Sequence, residues 1–157
     1  MNATMSLEKT KHQPVMLNQV LSIISPQHGG TFIDCTFGGG GYSKAILKYP
    51  KTKVFAIDRD KETEKQANLL RKKFPNRFIF AQNKFSNINK IFNLDINPKA
   101  IIFDLGLSSF QLSDSKRGFS FKKEGPLNMQ MGINKFSAYD VINFLDKKNL
   151  SNIIKTL

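Results

Sequence analysis

Three aspartates and one glycine run hold most of the chemistry this sequence offers. Asp34, Asp58 and Asp104 each close a short β-prone run, at 31–33, 53–57 and 100–103. Carboxylates gathered at neighbouring strand ends repel one another unless a cation lies between them. The chain has one Cys and two His, with no cluster of the kind that holds a transition metal. The pattern therefore favours an organic cation, with Mg²⁺ and a phosphate as the weaker option. Four successive glycines, 38–41, follow Asp34. A loop without Cβ atoms lets a backbone come close to a nucleotide-like ligand. Asp58 falls about 20 residues after Gly38, a spacing that suits a carboxylate accepting hydrogen bonds from ribose hydroxyls. The run is not GxGxxG, and a plain flexible turn is the competing reading.

The elements that must position these groups alternate along the chain. Val15, Val20, Leu21, Ile23 and Ile24 supply a helical stripe that Ser25 and Pro26 end. After the first strand and the glycine loop, 42–49 reads as a helix with Ala45 and Ile46 inward, stopped by Pro50. Its N-terminus would aim free N–H groups at the loop's ligand. Asp60 is an N-cap candidate for a helix with Glu62 and Glu64 in its first turn and Ala67, Leu70 and Phe74 on one face. A third strand follows at 77–81, then a short amphipathic helix marked by Phe85, Ile88, Ile91 and Phe92, then a turn at Asn97–Pro98. The fourth strand, 100–104, is apolar up to Asp104, as expected of one covered on both faces. The order β-α-β-α-β-α-β implies a parallel sheet wound by right-handed crossovers, with ligands beyond the carboxyl ends of its strands.

A chain of 157 residues suffices for one ordinary domain. Its 40% hydrophobic and 11% aromatic content excludes an intrinsically disordered class. No apolar run reaches membrane-spanning length, and the first residues lack the apolar core of a secretory signal, so a cytoplasmic location is expected. Cys35, the single cysteine, reads as a small packed residue rather than a reactive thiol. The net charge of +12 suits a polyanionic partner, nucleic acid above all, against a merely lysine-rich solvated surface.

Beyond Asp104 the pattern changes to a long loop rich in Ser, Gly, Phe and Met. Loops of such length are usually functional or disordered, and its aromatics argue against disorder. Phe119 and Phe121 beside Arg117, Lys122 and Lys123 would suit a lip that stacks bases and contacts phosphates. The alternative is that both rings pin the loop to the core. Two helices, 138–145 and 150–157, follow.

Several of these stretches together are specific. His12-Gln13-Pro14-Val15, the run from Asp34 to Ser43, Asp58-Arg59-Asp60, Asp104-Leu105-Gly106-Leu107-Ser108-Ser109, Gln111-Leu112, Arg117-Gly118-Phe119-Ser120-Phe121 and Gly125-Pro126-Leu127 resemble the small-subunit ribosomal RNA cytosine-N4 methyltransferases, the MraW or RsmH family. The resemblance implies an α/β, class I (Rossmann-like) methyltransferase that uses S-adenosylmethionine on one decoding-centre cytosine. It divides the chain into a leader (1–11), the N-terminal half of the methyltransferase domain (12–112) and the start of a helical substrate-binding insertion (113–157). By resemblance, Gly40, Gly41 and Tyr42 line the methionine end of the cofactor, Asp58 holds the ribose hydroxyls and Phe85 lies near the adenine. Asp104 and Gln111 complete the site beside the incoming base, with Asp104 or a carbonyl of 105–108 accepting from the exocyclic amine. The implied partners are small-subunit ribosomal RNA or the 30S particle, with no membrane and with a homodimer left open.

Three departures accompany the resemblance. Tyr42 stands where the family usually has His. Asn128 and Gln130 stand where it has Asp and Arg, so a charge pair there is absent. Family members are also about twice this length, so the fourth strand would lack its outer neighbours and show an apolar edge. A catalytically incomplete RNA-binding or assembly module remains the rival reading. A nucleotide-dependent dehydrogenase is disfavoured by the loop's departure from GxGxxG.

Overall fold

The computed structural model describes residues 14–92 and 97–156. The expected leader and His12 lie outside the described residues. Four strands form one parallel sheet, β1 (Gly30–Asp34), β2 (Thr52–Asp58), β3 (Phe78–Gln82) and β4 (Ala100–Ile102), in the order β3-β2-β1-β4. The helices are α1 (Leu17–Ile24), α2 (Gly41–Leu47), α3 (Glu64–Lys73), α4 (Ile88–Ile91), α5 (Ser109–Ser113), α6 (Ala138–Phe144) and α7 (Lys147–Thr156). The expected parallel α/β, Rossmann-like arrangement is what the chain adopts.

Alternation along the strands sets the two faces. Phe32, Val54, Ala56, Phe78, Phe80 and Ile102 point to one side, where Ile46 and Leu47 of α2 and Ala67 and Leu70 of α3 cover them. Leu17, Val20, Leu21 and Ile24 of α1 pack on the same side. Ile33, Cys35, Phe55 and Ile57 point to the other, beneath Phe92 and the α4 segment. Phe32, Ile33, Val54 and Ile57 are fully buried, each contributing about 1.5–3 kcal/mol. Burial first, then the Asp34 charge, push the Cys35 thiol up to about 11, so this cysteine is a packed residue.

Two expectations need correction. Val15 and Ile23 are exposed, because α1 begins only at Leu17 and turns Leu17, Val20, Leu21 and Ile24, each partly buried, toward the core, which leaves Ile23 facing away. The fourth strand is not covered on both faces. Ile102 is buried, but Ile101 and Phe103 are 47% and 50% exposed, because α4 is one short turn and reaches only the neighbouring strands. Among the described residues β4 pairs with β1 alone.

Arg77 holds the opposite end of the sheet. Its guanidinium donates to the carbonyls of Leu47, Tyr49, Pro50 and Thr52 at 2.7, 2.8, 2.9 and 3.2 Å. One side chain thereby ties together the end of α2, the turn after it and the start of β2.

Candidate cofactor site at the carboxyl end of the sheet

The chain passes from β1 to β2 and β3, then returns to place β4 on the far side of β1. A crevice opens at such a reversal, outside the carboxyl ends of the strands, here those of β1 and β4. Asp34 pairs with Ala56 on one side and Ile102 on the other, so Asp58 and Asp104 each lie two positions beyond its level. The three acids do share one end of the sheet, but their surroundings differ.

Asp34 lies beneath the rim and not on it. It is 1% exposed, accepts from Ser43 Oγ at 2.6 Å and from the Thr36 N–H at 3.3 Å, and thereby ties α2 to the end of β1. Burial pushes its carboxyl up to about 6 despite those bonds, and the Asp58 charge adds to the rise. Asp58 is half-buried. Its Oδ2 accepts from the Gly38 N–H at 2.7 Å and its Oδ1 from the Asp60 N–H at 2.9 Å. Burial raises its carboxyl from the ordinary value, and those two backbone bonds offset part of the rise. Asp104 is exposed, and among the described residues no donor reaches its carboxylate. Its own N–H donates to Thr36 Oγ1 at 2.8 Å, which joins the ends of β1 and β4. Burial first, then the charges of Asp104 and Asp34, raise the Tyr42 phenol.

The glycines of the loop are not equivalent. Gly40 has φ +75°, and a Cβ there would press on the Phe37 ring at 2.8 Å. A Cβ on Gly41 would collide with Pro14. These two glycines are required by the protein's own packing. A Cβ on Gly38 or Gly39 would come no closer than 3.9 and 3.5 Å to its neighbours, so packing does not require glycine there, although φ of +50° favours it at Gly38. The Tyr42 side chain is buried and donates to the Val15 carbonyl, so it fastens 14–15 over the start of α2 and offers a ligand only its backbone. Phe85 is exposed and packs edge-on against Phe103, ring centres 5.3 Å apart. Phe103 was not singled out in the sequence, although an aromatic directly before Asp104 was a usable signal.

Gln111, Arg117 and Phe119 depart from expectation. Gln111 is buried, donates through Nε2 to Asp60 Oδ2 at 2.8 Å and accepts the Ser108 N–H at 2.9 Å. Arg117 donates to Asp60 at 2.7 and 3.3 Å and to the Gln130 carbonyl at 2.8 Å, with its guanidinium over the Phe119 ring. Phe119 is itself buried. Gln111 and Arg117 turn inward because Asp60, 4% exposed, is a buried carboxylate that needs charge and donors around it, and Phe119 packs beneath the Arg117 guanidinium. Burial disfavours its ionised form, but the Arg117 and Gln111 bonds outweigh that and hold it below the usual range. Sequence reasoning saw only its capping bond to the Glu62 N–H, which is present at 3.2 Å. The missed signal was Arg117 itself, one of four Arg in a lysine-rich chain, since a fork is needed where a carboxylate is gripped at both oxygens. Phe121 is fully exposed, and Lys122 and Lys123 are exposed beside it. The pinning alternative therefore holds for Phe119 and fails for Phe121.

The loop keeps a defined path without the Asp and Arg of the family pattern. Asn128 Oδ1 accepts from the Gln130 N–H at 3.2 Å, and the Ala138 and Tyr139 N–H groups donate to the carbonyls of Asn128 and Leu127. Among the described residues no three His, Cys, Asp or Glu side chains gather as a metal site, and no helix is long and apolar enough to cross a membrane. An unpaired exposed carboxylate, a second one pinned by backbone and an aromatic pair fit a ligand that carries a cation, a ribose and a base.

The profile of the MraW methylase family matches residues 9–157. The ribosomal RNA small subunit methyltransferase H of Ehrlichia ruminantium (strain Welgevonden) is 44% identical over 148 residues, which cover 91% of this chain and 49% of that protein. Proteins of the same name from Anaplasma phagocytophilum (strain HZ) and Rhodospirillum rubrum are 43% and 40% identical, with 50% and 45% of their lengths covered. A solved chain from Clostridium thermocellum aligns over 63% of this chain and 54% of its own, at 22% identity and a TM-score of 0.46. The chain spans about half the length of the curated relatives it matches. Nothing in these comparisons supports a homodimer. With a family profile matched from residue 9 to the last and relatives that share two residues in five or more, the chain belongs to the MraW methylase family.

Proposed function

We propose that this chain supplies the cofactor-binding part of an enzyme that methylates N4 of a decoding-centre cytosine in small-subunit ribosomal RNA. The observation that carries the reading is Asp104, an exposed carboxylate that no donor among the described residues reaches, set at the crevice of β1 and β4 on the same end of the sheet as the pinned Asp58. S-adenosylmethionine, when bound, supplies an activated methyl group on a sulfonium cation. Asp58 retains lone pairs beyond the two its backbone donors use, and these accept the ribose hydroxyls. Phe85, backed by Phe103, offers its face to the adenine. Gly40, Gly41 and the Tyr42 backbone border the methionine end. Gln111 acts through Asp60 and not by direct contact.

A cytosine amine is a poor nucleophile because its lone pair is delocalised into the ring. Asp104 accepts a hydrogen bond from that amine, localises the lone pair and takes the proton released when the methyl transfers. Holding amine and methyl in near-attack geometry accounts for up to ~7–11 kcal/mol of the acceleration. The target base must be unstacked to reach the crevice. Phe121, Lys122 and Lys123 contact the flanking RNA, as exposed aromatic and cationic groups do.

Calorimetric titration of the chain with S-adenosylmethionine and with NAD tests this reading. Binding of the first and not the second is expected, and binding of NAD alone overturns it. The Asn128 and Gln130 departures favour the rival, an RNA-binding module without catalysis. RNA binding without any S-adenosylmethionine binding would select that rival.

A further inference from the structure

Asp60 is a buried carboxylate that touches neither cofactor nor base in the reaction outlined above, and it stands two residues after Asp58. The Asp60 N–H donates to Asp58 Oδ1 at 2.9 Å, so the two acids share one tight turn. The Asp60 carboxylate in turn holds Gln111 and Arg117 at 2.7–2.8 Å. Arg59, between the two acids, donates through Nε to the Met131 carbonyl at 3.0 Å and bonds the Asn134 side chain. Gly132 lies so close to the Arg59 carbonyl oxygen that any Cβ there would collide with it. Three consecutive residues at the end of β2 thus meet both the proposed cofactor and a segment, 111–134, that is otherwise held mainly by its own turns.

We propose that Asp60 is a positioning residue that couples occupancy of the cofactor site to the order of residues 113–134, and through them to the exposed Phe121-Lys122-Lys123 strip. This inference rests on the cofactor reading given under Proposed function. A ligand that steadies Asp58 steadies the turn on which Asp60 is mounted, and so lowers the entropy that remains to be lost when the segment docks. Linkage makes the effect reciprocal, so a docked segment tightens cofactor binding by the same factor. Arg117 suits this role better than Lys would, because its planar fork holds both Asp60 oxygens while still reaching the Gln130 carbonyl.

The test is hydrogen exchange across 113–134 in the full chain, with and without S-adenosylmethionine, together with calorimetric affinities for the wild type, Arg117→Lys and Asp60→Asn. The cofactor is expected to slow exchange in this segment of the wild type. Arg117→Lys is expected to bind the cofactor about 10-fold more weakly and to lose the cofactor-dependent slowing. Arg117→Lys keeps the charge, so it remains informative if Asp60→Asn fails to fold. A purely structural role would lower the melting temperature of Arg117→Lys yet leave cofactor affinity and the cofactor-dependent slowing intact at a temperature where the variant is folded. That result, or wild-type binding with no change in exchange across 113–134, overturns the coupling alone. Absence of binding by the wild type overturns the cofactor reading and the coupling with it.

Discussion

Replacing Asp58 by Ala removes more than a ribose ligand. The carboxylate accepts from the Gly38 N–H at 2.7 Å and from the Asp60 N–H at 2.9 Å, so it joins the glycine loop to the turn after β2. The Ala variant leaves both donors without an acceptor. A fully buried unsatisfied donor costs about 1–3 kcal/mol, and both of these are half-buried, where water recovers part of the loss. About 1 kcal/mol each, about 2 kcal/mol in total, is the expected destabilisation. Asp58→Asn keeps one carbonyl oxygen and turns an NH₂ toward the other donor, so its cost should be about half as large. Urea denaturation followed by circular dichroism measures both. With a slope of about 2 kcal/mol/M, the Ala variant should unfold at a midpoint about 1 M lower with an unchanged slope. Titration with S-adenosylmethionine at low temperature then separates the two roles, because Asp58→Asn should lose nearly all binding while losing little stability. An Ala variant within about 0.5 kcal/mol of wild type would refute the claim that this carboxylate braces the loop.

Other expectations follow from individual contacts. The Asp34 carboxyl, raised by burial from 3.8 to about 6, keeps its proton in the folded state where the unfolded chain has lost it. Its contribution to stability is therefore lost as pH rises from about 4 to 6, by about 3 kcal/mol at ~1.4 kcal/mol per pH unit. Asp34→Asn should remove that slope, which denaturation curves across the window would show as a wild-type-minus-variant difference that changes with pH. Arg77→Ala should cost about 2–4 kcal/mol, because carbonyls of Leu47, Tyr49, Pro50 and Thr52 lose one shared cationic donor, and a thermal melt within a degree of wild type would contradict this. Phe121→Ala should leave the melt unchanged and weaken binding to a single-stranded ribosomal RNA fragment by about 1–3 kcal/mol, whereas equal affinity in a filter-binding assay would remove Phe121 from the RNA surface.

The sequence by itself determined the element order, because strand and helix periodicities are local signals. Residues 31–34, 52–58 and 78–82 alternate or run apolar over short stretches, and Ala67, Leu70 and Phe74 repeat at helical spacing. It also placed Asp58 and the glycine loop at one end of the sheet, since both sit at fixed offsets from strands that any parallel winding aligns. Only the tertiary structure decided which of several similar carboxylates is free. Asp34 and Asp104 end equivalent strands, yet α2 and Ser43 seal the first from water while nothing among the described residues covers the second. The structure likewise decided that Gln111 and Arg117 gather around Asp60, with Phe119 buried beneath Arg117, while Phe121 stays in solvent. The physical reason is desolvation. A charge's energy depends on what packs around it from distant parts of the chain, and a contact made 51 or 57 residues away leaves no local periodicity to read.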